Sequence, residues 1–332
     1  MPAKTWYNDS TMKIQENVQL ANLTTMRISG VARYLIELKQ TGDIPTAIKF
    51  AKNKTLPWFV LGGGSNVIAR DFNGVILLNR INGFQEVGLD EKSATFKVGA
   101  GEIMDNIIAK TTARGLAGFE FLSLVPGTVG AAPVQNVGCY GMDISQILQE
   151  LTAYNTETGR FEVMKNADCH FGYRDSIFKS ADARKYIIAS VTLRLLHQNE
   201  RPPFYRSLQQ YILNKHPELA LNETDFKPDV SFAPSEIRQS IIDVRNSKLP
   251  DPKEIPSAGS FFQNPVVSAD FAKKLLEQHP AAPHFPTDNG QIKLAAGWLI
   301  DQVGLKGFSD RGFQIYPKNA LVITNIAHDN SN

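Results

Sequence analysis

Two stretches of small residues have the composition to hold a phosphate. The first, Gly62-Gly63-Gly64-Ser65-Asn66, follows a short apolar run from Trp58 to Leu61. Successive backbone N–H groups without Cβ atoms can converge on a diphosphate, and Ser65 and Asn66 add side-chain donors. Read blandly, the same run is a flexible turn. The second stretch, Pro126-Gly127-Thr128-Val129-Gly130-Ala131-Ala132-Pro133, could supply another wall for the same ligand. Together they make a bulky nucleotide cofactor more credible than either does alone. Other signatures fail. Gly99-Ala100-Gly101 lies between a predicted strand and a predicted helix, but Met104 stands where a dinucleotide fingerprint needs its third glycine. Gly127 to Gly130 has the wrong spacing for that fingerprint, and no Gly-Lys-Ser/Thr ending makes a Walker loop. Cys139 and Cys169 form no Cys-x-x-Cys pair, so no metal site is expected.

The elements that would position these loops can be read from periodicity. Strands are expected at Ala32 to Leu38, Trp58 to Leu61, Val75 to Asn79 and Ala94 to Val98. A helix from Ile44 to Asn53 carries Ile44, Ala47, Ile48 and Ala51 on one side, and another begins near Ile103 and can end at Gly115. The first glycine run thus joins a strand to a strand. Leu148 to Tyr154 and Phe161 to Met164 resemble a hairpin about Thr158-Gly159, and Tyr186 to Leu195 reads as a long strand. A polar stretch with two prolines, Asn199 to Pro203, marks a domain boundary. Beyond it, helices are expected at Ser207 to Leu213, Ser235 to Val244, Ser268 to Gln278 and Lys293 to Val303. The proline-ruled loop from Lys248 to Ser260 should end in a strand, and a last strand covers Ala320 to Thr324.

Composition narrows the function classes. The chain has 332 residues, 42% of them hydrophobic, enough to fill cores in two or three domains. Its 35 Lys and Arg against 33 Asp and Glu leave a net charge of +2, too balanced for the basic face that nonspecific nucleic-acid binding needs. Two cysteines make no disulfide framework, and neither a signal peptide nor a membrane span is apparent. A cytoplasmic protein is expected, with no nucleic-acid, membrane or obligate protein partner.

Five motifs then carry a resemblance. Leu61-Gly-Gly-Gly-Ser-Asn66, Pro126 to Asn136, Gly172-Tyr-Arg-Asp-Ser176, Lys248-Leu-Pro-Asp-Pro252 and Ala258-Gly-Ser-Phe-Phe-Gln-Asn-Pro265 resemble, in order, those of the UDP-N-acetylenolpyruvoylglucosamine reductase (MurB) family. The likeness runs from about Thr24 to Asn325. It implies an α+β architecture: a vanillyl-alcohol-oxidase-type (PCMH-type) FAD-binding fold of two subdomains plus a smaller α+β substrate-binding domain. On this chain those would be residues 1–200 (about 1–80 and 81–200) and 201–332.

The resemblance also implies the chemistry. FAD, held noncovalently, would take a hydride from NADPH and reduce the enolpyruvyl ether of a UDP-sugar to the lactyl ether of UDP-N-acetylmuramate, in peptidoglycan synthesis. Such a reaction needs a cation for the charge that develops on the carboxylate and a proton for the adjacent carbon. Arg174 matches the family's catalytic arginine; by itself it reads as a surface residue paired with Asp175. Ser260 matches the proton donor; by itself it is an ordinary turn serine. Gly62, Gly63, Gly64, Ser65, Asn66, Pro126, Gly127, Thr128, Gly130 and Asn136 would contact FAD. Tyr173, Tyr205, Lys248 and Asn264 would contact substrate, with Arg245 a further candidate for the diphosphate and Tyr211 a weaker alternative to Tyr205. Phe261 and Phe262 are expected to anchor their loop in the core. The family's third catalytic residue is a glutamate beyond the last strand, whereas the last glutamate here is Glu277. The chain is therefore expected to lack the family's C-terminal end, and the competing reading is a catalytically impaired binder of FAD or sugar nucleotide.

Overall fold

A computed structural model describes residues 5–8 (backbone only), 12–179, 185–287 and 289–327. Alternating apolar residues pair early in the chain. β1 (Thr5–Asn8), β2 (Met12–Gln19), β3 (Val31–Leu38), β4 (Trp58–Leu61) and β5 (Phe72–Asn79) form a five-stranded sheet in the order β1-β2-β3-β5-β4. β3, β5 and β4 run parallel, which requires a crossover, and α1 (Asp43–Asn53) provides it. Ile44, Ala47, Ile48 and Ala51 of α1 are buried on the sheet against Ile36, Leu38, Val75 and Leu77.

The second sheet is antiparallel. β6 (Phe84–Leu89), β7 (Ser93–Gly99), β11 (Leu148–Asn155), β12 (Arg160–Lys165) and β13 (Tyr186–His197) take the order β12-β11-β13-β7-β6, with β8 (Leu116–Ala117) also on β13. The short hairpin of β9 (Gly138–Cys139) and β10 (Met142–Asp143) stands apart. α2 (Met104–Thr112) buries Met104, Ile107 and Ile108 in the core of this sheet with Phe96, Phe119 and Leu193. Both glycines of Gly99-Ala100-Gly101 lie where the chain crosses backbone: an added Cβ would come within 2.4 Å of the Ile81 carbonyl oxygen or 2.5 Å of Arg80 Cα. Their role is close packing.

By contacts the chain divides into two compact units. One holds Met1–Gln19, Gly30–Gly64 and Arg70–Ser247; the other holds Leu20–Ser29, Ser65–Ala69 and Lys248–Asn332. The division therefore falls near 247 and not at the boundary of 200 and 201 expected from Pro202 and Pro203. α3 (Arg206–Lys215) and α4 (Pro234–Lys248) make a cluster of Leu208, Ile212, Phe226, Phe232, Ile237 and Ile241, against which Phe121 and Tyr140 of the FAD-side loops pack. That burial binds them to the first unit.

The second unit has a four-stranded sheet, β14 (Ser257–Ser260), β20 (Val322–Asn325), β19 (Phe313–Ile315) and β18 (Ser309–Asp310), and a three-stranded one, β15 (Val266–Val267), β17 (Ile292–Leu294) and β16 (His284–Pro286). α5 (Ala269–Gln278) starts where expected, its first turn capped by the Ser268 hydroxyl accepting from Phe271 N–H. The helix expected from Lys293 differs. Ile292 to Leu294 pair with Val266 and Val267 on one side and with His284 to Pro286 on the other instead, and α6 (Ala296–Gln302) begins only after them. Strand partners on both sides thus override a helical periodicity.

Candidate active site

The two glycine loops meet. A Cβ on Gly63 would sit 2.9 Å from Gly127 Cα, and one on Gly62 would sit 2.5 Å from Thr128 Oγ1, so only glycine lets the loops touch. The second loop lies along the start of α2. Met104 N–H donates to the Gly127 carbonyl (3.1 Å), Val129 N–H to Glu102 (2.9 Å) and Gly130 N–H to Ala100 (2.9 Å). Arg80 at the end of β5 donates to the Gly62 carbonyl at 3.2 Å, a brace with no motif around it in the sequence. Gly64 takes φ 65°, and Ser65 and Asn66 follow it as part of the second unit. Pro126 is exposed at the entry to its loop.

A cavity of about 280 Å³ opens beside Gly62, Thr128 and Gly130, with Trp58, Val60, Phe178 and Ile187 among its walls. Two residues that line it, Trp58 and Thr128, each carry a buried polar atom, Nε1 and Oγ1, with no partner among the described residues. Buried donors are rarely left unpaired, so the donor set fits a large ligand with apolar rings and hydrogen-bond acceptors. FAD has both.

Arg174 sits on a separate turn of the same unit. Gly172 and Asp175 exchange backbone hydrogen bonds of 3.0 and 3.3 Å, leaving Tyr173 and Arg174 at the tip, with Arg174 at φ 54°. Ser176 Oγ ties the turn to the Val134 carbonyl (2.7 Å). The guanidinium partner is Asp143 (3.1 Å), not the neighbouring Asp175, and the same fork reaches the carbonyls of Asn136 and Gly138. A Cβ on Gly138 would fall 1.5 Å from Asp143 Oδ1, so a larger residue here would displace the Asp143 carboxylate from the guanidinium. Asn136 uses its whole carboxamide: Nδ2 donates to the Gly172 carbonyl (3.0 Å) and Oδ1 accepts Ser145 N–H (3.2 Å). It therefore fixes the arginine turn.

Around this turn the structure gathers residues far apart in sequence. Arg245 on α4 donates to Cys139 Sγ (3.5 Å) and to the Leu124 carbonyl (3.3 Å), while its buried Nε meets no acceptor among the described residues. Burial pushes the Cys139 thiol up, against the pull of Arg245 and then Arg174. The rings of Tyr140 and Tyr205 meet edge to face, centroids 5.9 Å apart. Tyr205 is 52% exposed just before α3, and Tyr173 is 41% exposed with the Arg174 guanidinium 5.3 Å from its ring. Leu124, Asn136, Tyr140 and Arg174 all take left-handed backbone angles, and such strain collects at functional sites. Asp143 and Cys139 are the members to which sequence reasoning gave no role, since neither spacing nor motif marks them; Arg245, a candidate for the diphosphate, joins them here. Tyr211 is engaged elsewhere, donating to Asp243 at 2.6 Å.

In the second unit, Ser260 ends β14 and is exposed. Ser257 and Ala258 are buried, then Gly259 at φ 73° breaks the alternation and turns the strand out of the core. Phe261 follows it outward and is 48% exposed, so the expectation that it anchors the loop in the core is corrected; its ring packs on that of Phe262, centroids 5.1 Å apart. Asn264 Oδ1 accepts the N–H of Ala296 at the start of α6 (3.0 Å). Lys248, the last residue of α4, is exposed with no ion pair among the described residues. Glu277 lies exposed on α5.

Comparison with known proteins agrees with this architecture. An FAD binding domain profile matches residues 32–164, and the UDP-N-acetylenolpyruvoylglucosamine reductase C-terminal domain profile matches residues 251–332. The UDP-N-acetylenolpyruvoylglucosamine reductase of Ralstonia nicotianae is 41% identical over 308 residues, 92% of this chain and 86% of that protein. This chain belongs to the UDP-N-acetylenolpyruvoylglucosamine reductase family. The Bdellovibrio bacteriovorus reductase is 38% identical over 95% of the chain and 90% of its own length. Among solved structures, the Thermus caldophilus member of the family superposes with a TM-score of 0.62 at 20% identity, covering 98% of this chain and 90% of that one. The 6-hydroxy-D-nicotine oxidase of Arthrobacter nicotinovorans gives 0.53 at 14% identity over 96% and 89% of the two chains. Those two likenesses give the fold: α+β, with a vanillyl-alcohol-oxidase-type (PCMH-type) FAD-binding part. As the profile match and the unpaired donors agree, the family's cofactor is FAD here too. No helix among the described residues is long and apolar enough to cross a membrane.

Proposed function

We infer that the chain reduces UDP-N-acetylglucosamine enolpyruvate to UDP-N-acetylmuramate with NADPH, a step of peptidoglycan synthesis. The observation that carries the reading is 41% identity to a reductase of that activity over 92% of the chain, with the glycine loops closed on each other as an FAD site requires. Held by the two glycine loops, FAD would supply the hydride chemistry that links NADPH to the terminal vinyl carbon of the enolpyruvyl ether. What remains is charge and proton management by the protein. Arg174, fixed by Asp143 and two carbonyls, meets the carboxylate onto which electron density moves. A guanidinium keeps its charge at every working pH and matches a carboxylate in shape. Ser260 Oγ gives its proton to the carbon that bears the ether oxygen, completing the addition of H⁻ and H⁺ across the double bond. Tyr173, Tyr205, Lys248 and Asn264 bind the sugar nucleotide, Lys248 as the cation for its diphosphate. Gly62 to Asn66, with Pro126, Gly127, Thr128 and Gly130, hold FAD, while Asn136, expected in that set, spends its carboxamide on Gly172 and Ser145. Because the substrate and NADPH are soluble metabolites, we place the enzyme in the cytoplasm, with no nucleic-acid or obligate protein partner. The test is turnover of UDP-N-acetylglucosamine enolpyruvate with NADPH, read beside flavin content. Lactyl-ether product is expected; a flavin-loaded protein that NADPH reduces but that yields no product overturns the reading.

A further inference from the structure

We propose that Asp105 and Arg238 are positioning residues for FAD: acting through the backbone of Leu124, they hold the entry to the second glycine loop in the shape that receives the cofactor. The inference rests on the FAD reading above and adds two residues that lie in none of the sequence motifs. Leu124 stands two residues before Pro126 and takes φ 56°. A leucine adopts left-handed backbone only against its own sterics, so something must hold it there. Its N–H donates to Asp105 Oδ1 at 2.7 Å, and its carbonyl accepts from Arg245 at 3.3 Å. Both peptide groups that flank the strained residue are therefore gripped.

The grip comes from one helix face. Asp105 lies in the first turn of α2, and the Arg238 fork takes both its carboxylate oxygens, at 2.7 and 2.9 Å. A bidentate pair of this kind fixes the carboxylate in orientation as well as in place. Arg238 and Arg245 are seven residues apart on α4, hence on the same side of it. That side reaches the Leu124 carbonyl directly and the Leu124 N–H by way of Asp105. The same turn of α2 binds the loop further on, since Met104 N–H donates to the Gly127 carbonyl and Ile103 pairs with Thr128. Without Asp105, Leu124 is free to return to ordinary backbone, and the peptides leading to Gly127 must turn with it. Gly127 has no slack to absorb that change, because a Cβ on Gly63 would already sit 2.9 Å from its Cα. A disturbance at Leu124 is thus felt where the two glycine loops meet.

The test uses the full-length chain freed of flavin, beside Asp105→Ala, Arg238→Ala, Arg238→Lys and the double alanine variant, each checked for folding by circular dichroism. A loop that must regain its left-handed turn on binding takes FAD with an affinity reduced by the fraction of chains that hold the turn. FAD affinity, titrated well below the melting temperatures, is expected to fall about tenfold in either alanine variant, the population cost of one left-handed leucine. The double variant should lose no more than Asp105→Ala, because Arg238 acts through Asp105. Arg238→Lys keeps the charge but not the fork, and should recover part of the affinity. A second measurement needs no cofactor: hydrogen exchange of the Leu124 amide in the flavin-free chain should quicken about tenfold in Arg238→Ala. Melting temperatures that fall while FAD affinity stays unchanged overturn the inference and leave the pair as a contact of the fold alone. Additive losses in the double variant, or unchanged Leu124 exchange, overturn it as well. Where an alanine variant does not fold, Arg238→Lys against the unmodified chain decides both readings, with unchanged affinity and exchange again the overturning result. Failure of the unmodified chain to bind FAD is a different result, which removes the cofactor reading on which the inference stands.

Discussion

Alanine at position 260 removes the one hydroxyl that Gly259 turns out of β14, and the two half-reactions separate its roles. Flavin reduction by NADPH should stay nearly intact, because it needs no proton delivered to carbon. Flavin reoxidation by the enolpyruvyl substrate should slow by about 10² to 10⁴, the usual cost of a positioned acid. Stopped-flow absorbance of the flavin reads both steps; equal slowing of the two would reassign Ser260 to the fold. A second residue-scale prediction concerns Cys139. Burial holds its thiol above the ordinary range, and the thiolate is the nucleophile, so this cysteine is a poor site for flavin attachment. The yellow colour should therefore pass into the supernatant on acid precipitation. Colour retained by the pellet would point to a covalent link and make Cys139 the first suspect.

At the scale of elements, the pair to break is α2 with α4. Arg238 reaches Asp105 through two bonds, 2.7 and 2.9 Å, and Asp105 also accepts Leu124 N–H at 2.7 Å. Burial alone would raise the Asp105 pKa, but the Arg238 and Leu124 hydrogen bonds outweigh it and hold the carboxyl below the usual value of 3.8. A depressed folded-state value means that the pair stabilises above the ordinary aspartate range and that this is lost as pH falls through the lower, folded value. Asp105→Asn should cost about 1 to 3 kcal/mol, as charge-assisted hydrogen bonds do. Urea unfolding at pH 7 measures it; an unchanged midpoint would mean that apolar packing alone holds α4 in place.

For the molecule as a whole, pH acts through Glu120. It is fully buried in the turn after β8, its Oε2 accepts Gly118 N–H at 2.7 Å, and Oε1 meets no donor among the described residues. Burial first, and then the Glu200 carboxylate, raise its pKa from 4.5 to about 8. Below 4.5 folded and unfolded chains both hold the proton. Between 4.5 and about 8 only the folded chain does, so each rise in pH lowers stability, and above about 8 the full cost is felt. Glu120→Gln cannot ionise, yet it still accepts from Gly118 and can donate to Glu200. Melting temperatures of wild type should fall more steeply than those of the variant between pH 5.5 and 8.5, and parallel profiles would contradict this origin.

What the sequence determined by itself is what residue type enforces locally. Gly62, Gly63, Gly127 and Gly130 announce close backbone approach because the missing Cβ is written in the letter, and the structure brings these two loops together as that absence allows. Trp58 to Leu61 was legible as a strand, and Ser268 to Gln278 as a helix, from apolar spacing. The tertiary structure decided whatever depends on a partner elsewhere in the chain. Ile292 to Leu294 became a strand because Val266 and Val267 were there to pair with it. Arg174 chose Asp143, 31 residues away, over its neighbour Asp175, since the left-handed turn aims its fork back at the β9 and β10 hairpin. Phe261 left the core because one glycine angle reversed the strand. The Trp58 nitrogen, unpaired among the described residues, could not be read at all, for a missing hydrogen bond becomes visible only when the neighbours have their places.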